Sequence, residues 1–152
     1  MPYEASVGAL RHLLDDGKIQ MAGVSNANPD ETGLAQRILD GRLVAVQNEF
    51  SPSFRTSEAE LRLCDGLEVA FLPWKPLGGI GNAAHLGERF PAFQQVAEET
   101  GATPQQVTLA WMLALSPRVI PIPGSSRPDT VRASAAAVDL VLTTDQLVRL
   151  SA

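Results

Sequence analysis

A chain of 152 residues with 45% hydrophobic side chains is long enough to bury one core and too short for two ordinary domains, so residues 1–152 read as a single domain. A formal charge of −5 excludes nucleic acid and anionic membrane as partners, because each needs a basic face. Cys64 is the only cysteine, which excludes an intrachain disulfide. With no basic and apolar leader at Met1-Pro-Tyr and no apolar run near the roughly 20 residues that cross a bilayer, the expected setting is cytoplasmic.

In chain order, Val7, Leu10, Leu13 and Leu14 fall at helical spacing over residues 5–16, and Gly17 stands where that helix ends. Ile19 to Val24 reads as a strand that stops at Ser25-Asn26, and Pro29-Asp30-Glu31 opens the next helix, which runs to Asp40. Leu43 to Gln47 is a second apolar strand. Ser57 with Glu60 three residues on has the form of a capping box for a helix through Cys64. Leu67 to Leu72 is a third strand, stopped by Pro73, and the glycine-rich stretch from Ile80 to Pro91 reads as a long loop. Ala92 to Thr100 is helical. Thr103-Pro104 is the cap and first residue of a half-buried helix through Leu115. Val119 to Ile122 is a fourth strand, Pro128 opens a helix, and Thr143 to Leu150 form a short terminal one.

Apolar strands separated by helices indicate an α/β fold with a parallel sheet. Each polar cluster of interest follows the C-terminal end of a strand: Ser25-Asn26, Gln47-Asn48-Glu49, Trp74-Lys75 and Gly124-Ser-Ser-Arg127. Ligands of parallel α/β folds bind at that edge, so the four strand ends point to one shared site. Gly124, Ser125, Ser126 and Arg127 stand where a strand meets a helix start, a combination of free N–H groups, hydroxyls and a guanidinium that suits phosphate. Trp74 has two readings, a stacking platform or a core aromatic. Trp111, mid-helix among Leu109, Met112 and Leu113, reads as core, Cys64 as a small buried hydrophobe and His12 as a solvated surface residue. His85 offers at most a substrate contact, and no Cys or second His stands at metal-ligand spacing.

Several strings taken together resemble the aldo-keto reductase family. They are Gly17 to Asn26, Val46-Gln47, Leu72-Pro-Trp-Lys-Pro-Leu-Gly-Gly79, Val107 to Leu115, Ile120-Pro-Ile-Pro-Gly-Ser-Ser-Arg127 and Leu142-Thr-Thr-Asp-Gln-Leu147. The family's (β/α)₈ barrel is about twice this length and reduces aldehydes and ketones with NADPH. The resemblance therefore implies a (βα)₄ C-terminal half of a TIM barrel, from the helix before strand five to the helix after strand eight. It implies NADP(H) as cofactor. Ser25, Asn26 and Gln47 would hold the nicotinamide carboxamide, and Trp74 would lie against the ring at a position commonly filled by Tyr. Lys75, Pro76, Leu77 and Gly78 would run beside the pyrophosphate, with Ser125, Ser126 and Arg127 on the 2′-phosphate.

Two departures from the family's pattern stand out. Ala133 and Ser134 replace a Glu-Asn pair that contacts adenine, and the family's catalytic Asp, Tyr, Lys and His belong to the half this sequence lacks. The only tyrosine, Tyr3, precedes the first helix in no matching motif, so no catalytic residue is assigned. Four parallel strands cannot close, leaving the first and last as unpaired edges. The expected assembly is a homodimer or higher homo-oligomer that restores barrel-like burial, a dimer giving eight parallel strands, or else a pairing with a chain carrying the first half. Two function classes follow: an NADP(H)-binding oxidoreductase half, or a non-catalytic scaffold or relic that binds no cofactor.

Overall fold

The structure, a computed structural model, describes residues 2–152; Met1 lies outside the described residues. Three parallel strands lie in the order β1 (Ala22–Ser25), β2 (Leu43–Gln47), β3 (Ala70–Phe71). Before, between and after them run α1 (Tyr3–Asp15), α2 (Pro29–Ile38), α3 (Glu58–Gly66), α4 (Leu86–Arg89), α5 (Pro91–Thr100), α6 (Pro104–Leu115), α7 (Pro128–Ala135) and α8 (Thr144–Ser151). This is the α/β architecture expected.

Proline at the first position opens α2, α5, α6 and α7, where a missing N–H costs nothing. Asn28 with Glu31, Thr103 with Gln106 and Thr143 with Gln146 form reciprocal capping boxes on α2, α6 and α8. The box expected at Ser57 does not form. Ser57 makes no side-chain cap bond, and Glu60 is instead 8% exposed, one turn before the fully buried Cys64. Tyr3, expected ahead of the first helix, is the first residue of α1.

The strands are shorter than their apolar runs. The Lys18 and Ile19 N–H groups bond back to the Leu13 carbonyl at 2.9 and 3.3 Å, so Ile19 closes α1 rather than starting β1. Glu68 turns the chain at φ +58° and its N–H bonds to Asp65, which delays β3 to Ala70. Gly23 is required where β1 shifts register, since a Cβ there would stand 2.9 Å from the Ala45 carbonyl oxygen.

The fourth strand is an extended segment beside β3, not a regular strand. Phe71 donates to the Arg118 carbonyl at 2.8 Å, and Ile120 and Ile122 donate to the carbonyls of Phe71 and Pro73 at 2.9 and 3.3 Å. Pro73 has no N–H to return to Ile120, so the ladder is half made. The loop expected over Ile80–Pro91 is also corrected: it holds a 3₁₀ turn, Ala83–His85, and then α4. Leu86 anchors it in the core, and Gln105 donates to the Ala83 carbonyl at 2.6 Å.

Helices and strands meet over one core in which Trp111 is 1% exposed, as its sequence position predicts. Its ring stacks on Phe50 at 5.7 Å, meets the edge of Phe93 at 5.6 Å and carries the Arg55 guanidinium at 4.8 Å, while its N–H donates to Ser151 Oγ at 3.1 Å. Val44, Ile120 and Ile122 are exposed on the strands, opposite the buried Leu43 and Val119. Among the described residues no helix is long and apolar enough to cross a membrane.

Candidate functional site

The ends of β1, β2 and β3 and of the extended segment converge as expected. After β1 the chain turns sharply at Asn26, φ +53°, whose N–H donates to the Gln47 carbonyl at 3.0 Å. The Ser25 hydroxyl reaches the same carbonyl at 2.8 Å. Trp74, half-buried just beyond β3, donates its indole N–H to Asn26 Oδ1 at 3.1 Å. One cluster therefore holds Ser25, Asn26, Gln47 and Trp74, drawn from three strand ends.

Lys75 follows with φ +51°, a conformation that opposes a Cβ and is found where a site over-determines the backbone. Its ammonium lies 4.7 Å above the Trp74 ring and 3.8 Å from Glu49 Oε1. Lys75, Pro76, Leu77 and Gly124 line a cavity of about 300 Å³ with Trp74 at one end. It shares Leu77, Ile80, Ala83 and Gly124 with a second cavity of about 600 Å³ that extends to Arg127, Asp129 and Thr130 at the start of α7. The two form one cleft across the strand ends, from the indole to a helix N-terminus.

Not every expected residue faces this cleft. Gly78 is the turn at φ +80° beside it, with Gly79 in the wall. Ser125 lines an apolar groove of about 410 Å³ between α6, α7 and the extended segment, which adjoins the larger cavity at Leu109 and Ser134. There its hydroxyl donates to the Arg127 carbonyl at 3.1 Å and accepts from the Arg127 N–H at 3.3 Å. Ser126 is exposed and lines none of these cavities. Arg132 pairs with Asp129 at 2.9 Å, whereas Ala133 and Ser134 do reach the larger cavity.

The structure adds residues that sequence reasoning did not single out. Asn48 is 4% exposed and donates to the Ala27 carbonyl at 2.8 Å, tying the turn after β1 to the end of β2, while its own Oδ1 is buried without a partner. Gln106 bridges α6 to α7 through the Ala133 carbonyl at 3.2 Å. The signal for Asn48 was its place inside the polar Gln47-Asn48-Glu49 run. Tyr3 sits elsewhere: its hydroxyl is buried and unpartnered, and burial followed by the nearby Glu31 pushes its pKa up, the wrong direction for a proton donor near neutrality.

A family model described as the aldo/keto reductase family matches residues 1–152. Pyridoxine 4-dehydrogenase of Escherichia coli (strain K12) is 33% identical over 144 residues, 95% of this chain and 48% of that protein. The 6-dehydroglucose reductase of Agrobacterium fabrum is 29% identical over 138 residues, 88% and 46%. The chain thus spans about half the length of these relatives. An aldo/keto reductase from Klebsiella pneumoniae, solved with NADP and acetate, superposes with a TM-score of 0.85 at 26% identity over 99% of this chain and 54% of that one. A thermostable aldo-keto reductase solved with the inhibitor epalrestat gives 0.87 at 25%, over 99% and 54%. A match along its whole length, on a backbone that two solved reductases share, leaves one assignment: the chain belongs to the aldo/keto reductase family.

Proposed function

We propose that the chain is the C-terminal (βα)₄ half of an aldo/keto reductase barrel and carries an NADP(H) site without a proton donor of its own. The observation that carries this reading is the single cleft running from Trp74, whose indole is bonded to Asn26 of the Ser25–Asn26–Gln47 cluster, to Arg127. A nicotinamide carboxamide needs a donor and an acceptor in one plane, which the Asn26 and Gln47 amides and the Ser25 hydroxyl supply. Trp74 gives the ring a platform, and Lys75, Pro76, Leu77 and Gly78 flank the pyrophosphate. Gly124 keeps the wall low, and Arg127 meets the 2′-phosphate at the start of α7. Ser125 and Ser126 shape that turn. NADPH bound here would supply hydride to an aldehyde or ketone. With Tyr3 remote in role and high in pKa, the proton comes from a partner, and this chain alone lacks the 10² to 10⁴-fold assistance a general acid gives.

The open sheet supports the same need for a partner. Backbone groups of 118, 120 and 122 face β3, so those of 119, 121 and 123 face the free edge. Val119 donates to Ser116 at 3.1 Å and residues 121 and 123 are prolines, which leaves that edge with acceptors only. Asn26 faces β2, so by alternation Gly23 and Ser25 turn their N–H groups outward at the opposite edge. The two edges are complementary, and a second copy placing its β1 beside this extended segment completes a barrel.

Titration with NADPH, followed by tryptophan fluorescence, tests the cofactor reading. Quenching at micromolar concentration is expected, with Arg127→Ala losing about tenfold for NADPH and little for NADH, as removal of one charge-assisted contact to the 2′-phosphate requires. No binding up to millimolar NADPH would overturn it.

A further inference from the structure

We propose that Trp74 is a positioning residue whose indole N–H fixes which way round the Asn26 amide faces, and so the orientation of the carboxamide it receives. The inference rests on the NADP(H) reading above and adds to it a role that stacking alone does not require.

Asn26 is exposed, at the tip of a left-handed turn, where an amide is free to rotate between two arrangements of its oxygen and nitrogen. An indole N–H is a donor and nothing else. Standing 3.1 Å from the Asn26 side chain, it must face the oxygen, and the Asn26 NH₂ is then directed away as a donor. Ser25 is set in the complementary sense. Its hydroxyl hydrogen is directed to the Gln47 carbonyl at 2.8 Å, so what it offers a ligand is its lone pairs. Adjacent residues therefore present a donor and an acceptor in fixed order. A primary carboxamide fits one way, with its carbonyl on Asn26 and its NH₂ toward Ser25.

Trp74 is itself held. Its N–H and carbonyl bond to the Asn48 carbonyl at 3.0 Å and the Phe50 N–H at 3.4 Å, and Lys75, paired with Glu49, sits over the ring. A phenylalanine here would stack without orienting Asn26. A tyrosine hydroxyl, both donor and acceptor, would allow either arrangement.

Calorimetric affinities of Trp74→Phe and the unaltered protein for NADPH, its thionicotinamide analogue and adenosine 2′,5′-bisphosphate test the inference. Expected is a loss of about fivefold for NADPH, the worth of one net hydrogen bond. The loss should be less than twofold for the thio analogue, whose sulfur is a poor acceptor, and absent for the bisphosphate, which has no carboxamide. Asn26→Ala should weaken NADPH similarly, with Trp74→Phe adding nothing on top of it. Full NADPH affinity in Trp74→Phe, or an equal loss for all three ligands, would overturn the positioning role alone. Failure of the unaltered protein to bind any of the three overturns the cofactor reading and this inference together.

Discussion

Glu99 receives two 2.7 Å hydrogen bonds from the Arg149 guanidinium and a third, at 2.9 Å, from the Gln146 amide. Led by Arg149, these contacts hold its carboxyl at about 2, against an ordinary 4.5. A depressed folded pKa stabilises the fold above the unfolded value, and that contribution is lost as pH falls from about 4.5 toward 2. Thermal melts should therefore decline across that window, and Glu99→Gln should flatten the decline. An unchanged acid limb would show that the pair is screened by solvent and couples little to folding. Cys64 behaves in the opposite sense. Burial, with Glu60 adding to it, pushes its thiol up to about 11, so a disulfide reagent at pH 8 should leave it unmodified in the folded protein and react fully once denatured.

Helix starts show how local chemistry becomes structure, and where it fails to. Thr143→Ala removes a reciprocal cap from α8 and should cost about 1 kcal/mol in chemical denaturation, whereas Ser57→Ala, which removes no cap bond, should stay within about 0.5 kcal/mol. Both serine and threonine stand three residues before a side chain able to return the bond. They differ because Glu60 is turned into the core and Gln146 is not turned away from its cap. That distinction depends on what packs against the helix, which no window of sequence contains. Proline at 29, 104 and 128 marked helix starts reliably because it acts through its own ring, whereas Pro91, read as the end of a loop, opens α5 in the same way. The end of β1 and the cluster of strand-end polar residues were legible for a similar reason: each is written in consecutive residues. Hidden instead were the helices between Ile80 and Pro91, which Leu86 and Gln105 hold by tertiary contact against the local preference of Gly81 and Gly87. The Trp74–Asn26 bond, spanning 48 residues, was equally hidden. Gly23→Ala tests the sheet at the same scale. A methyl 2.9 Å from a backbone oxygen has no flexible neighbour to displace, so the substitution should destabilise by about 1 to 3 kcal/mol despite improving strand propensity.

At the scale of the whole molecule, exposed Ile120 and Ile122 on an unfinished sheet are expected to drive association. Sedimentation velocity should show a concentration-dependent species of twice the chain mass, and Ile120→Glu should abolish it while leaving the far-ultraviolet spectrum unchanged, because that side chain is already exposed in the single chain. A stable, cooperative monomer at all concentrations would refute the proposed closure.

The prolines of the extended segment also bear on a hazard that open sheets carry. An edge that only accepts hydrogen bonds cannot be extended by another edge like itself, since neither brings a donor. Stacking of this segment on its own kind, the first step toward a cross-β fibre, is thereby denied. The β1 edge has no such protection, and it is from there, through chains that join end to end without closing, that any fibrous misassembly of this protein would have to grow.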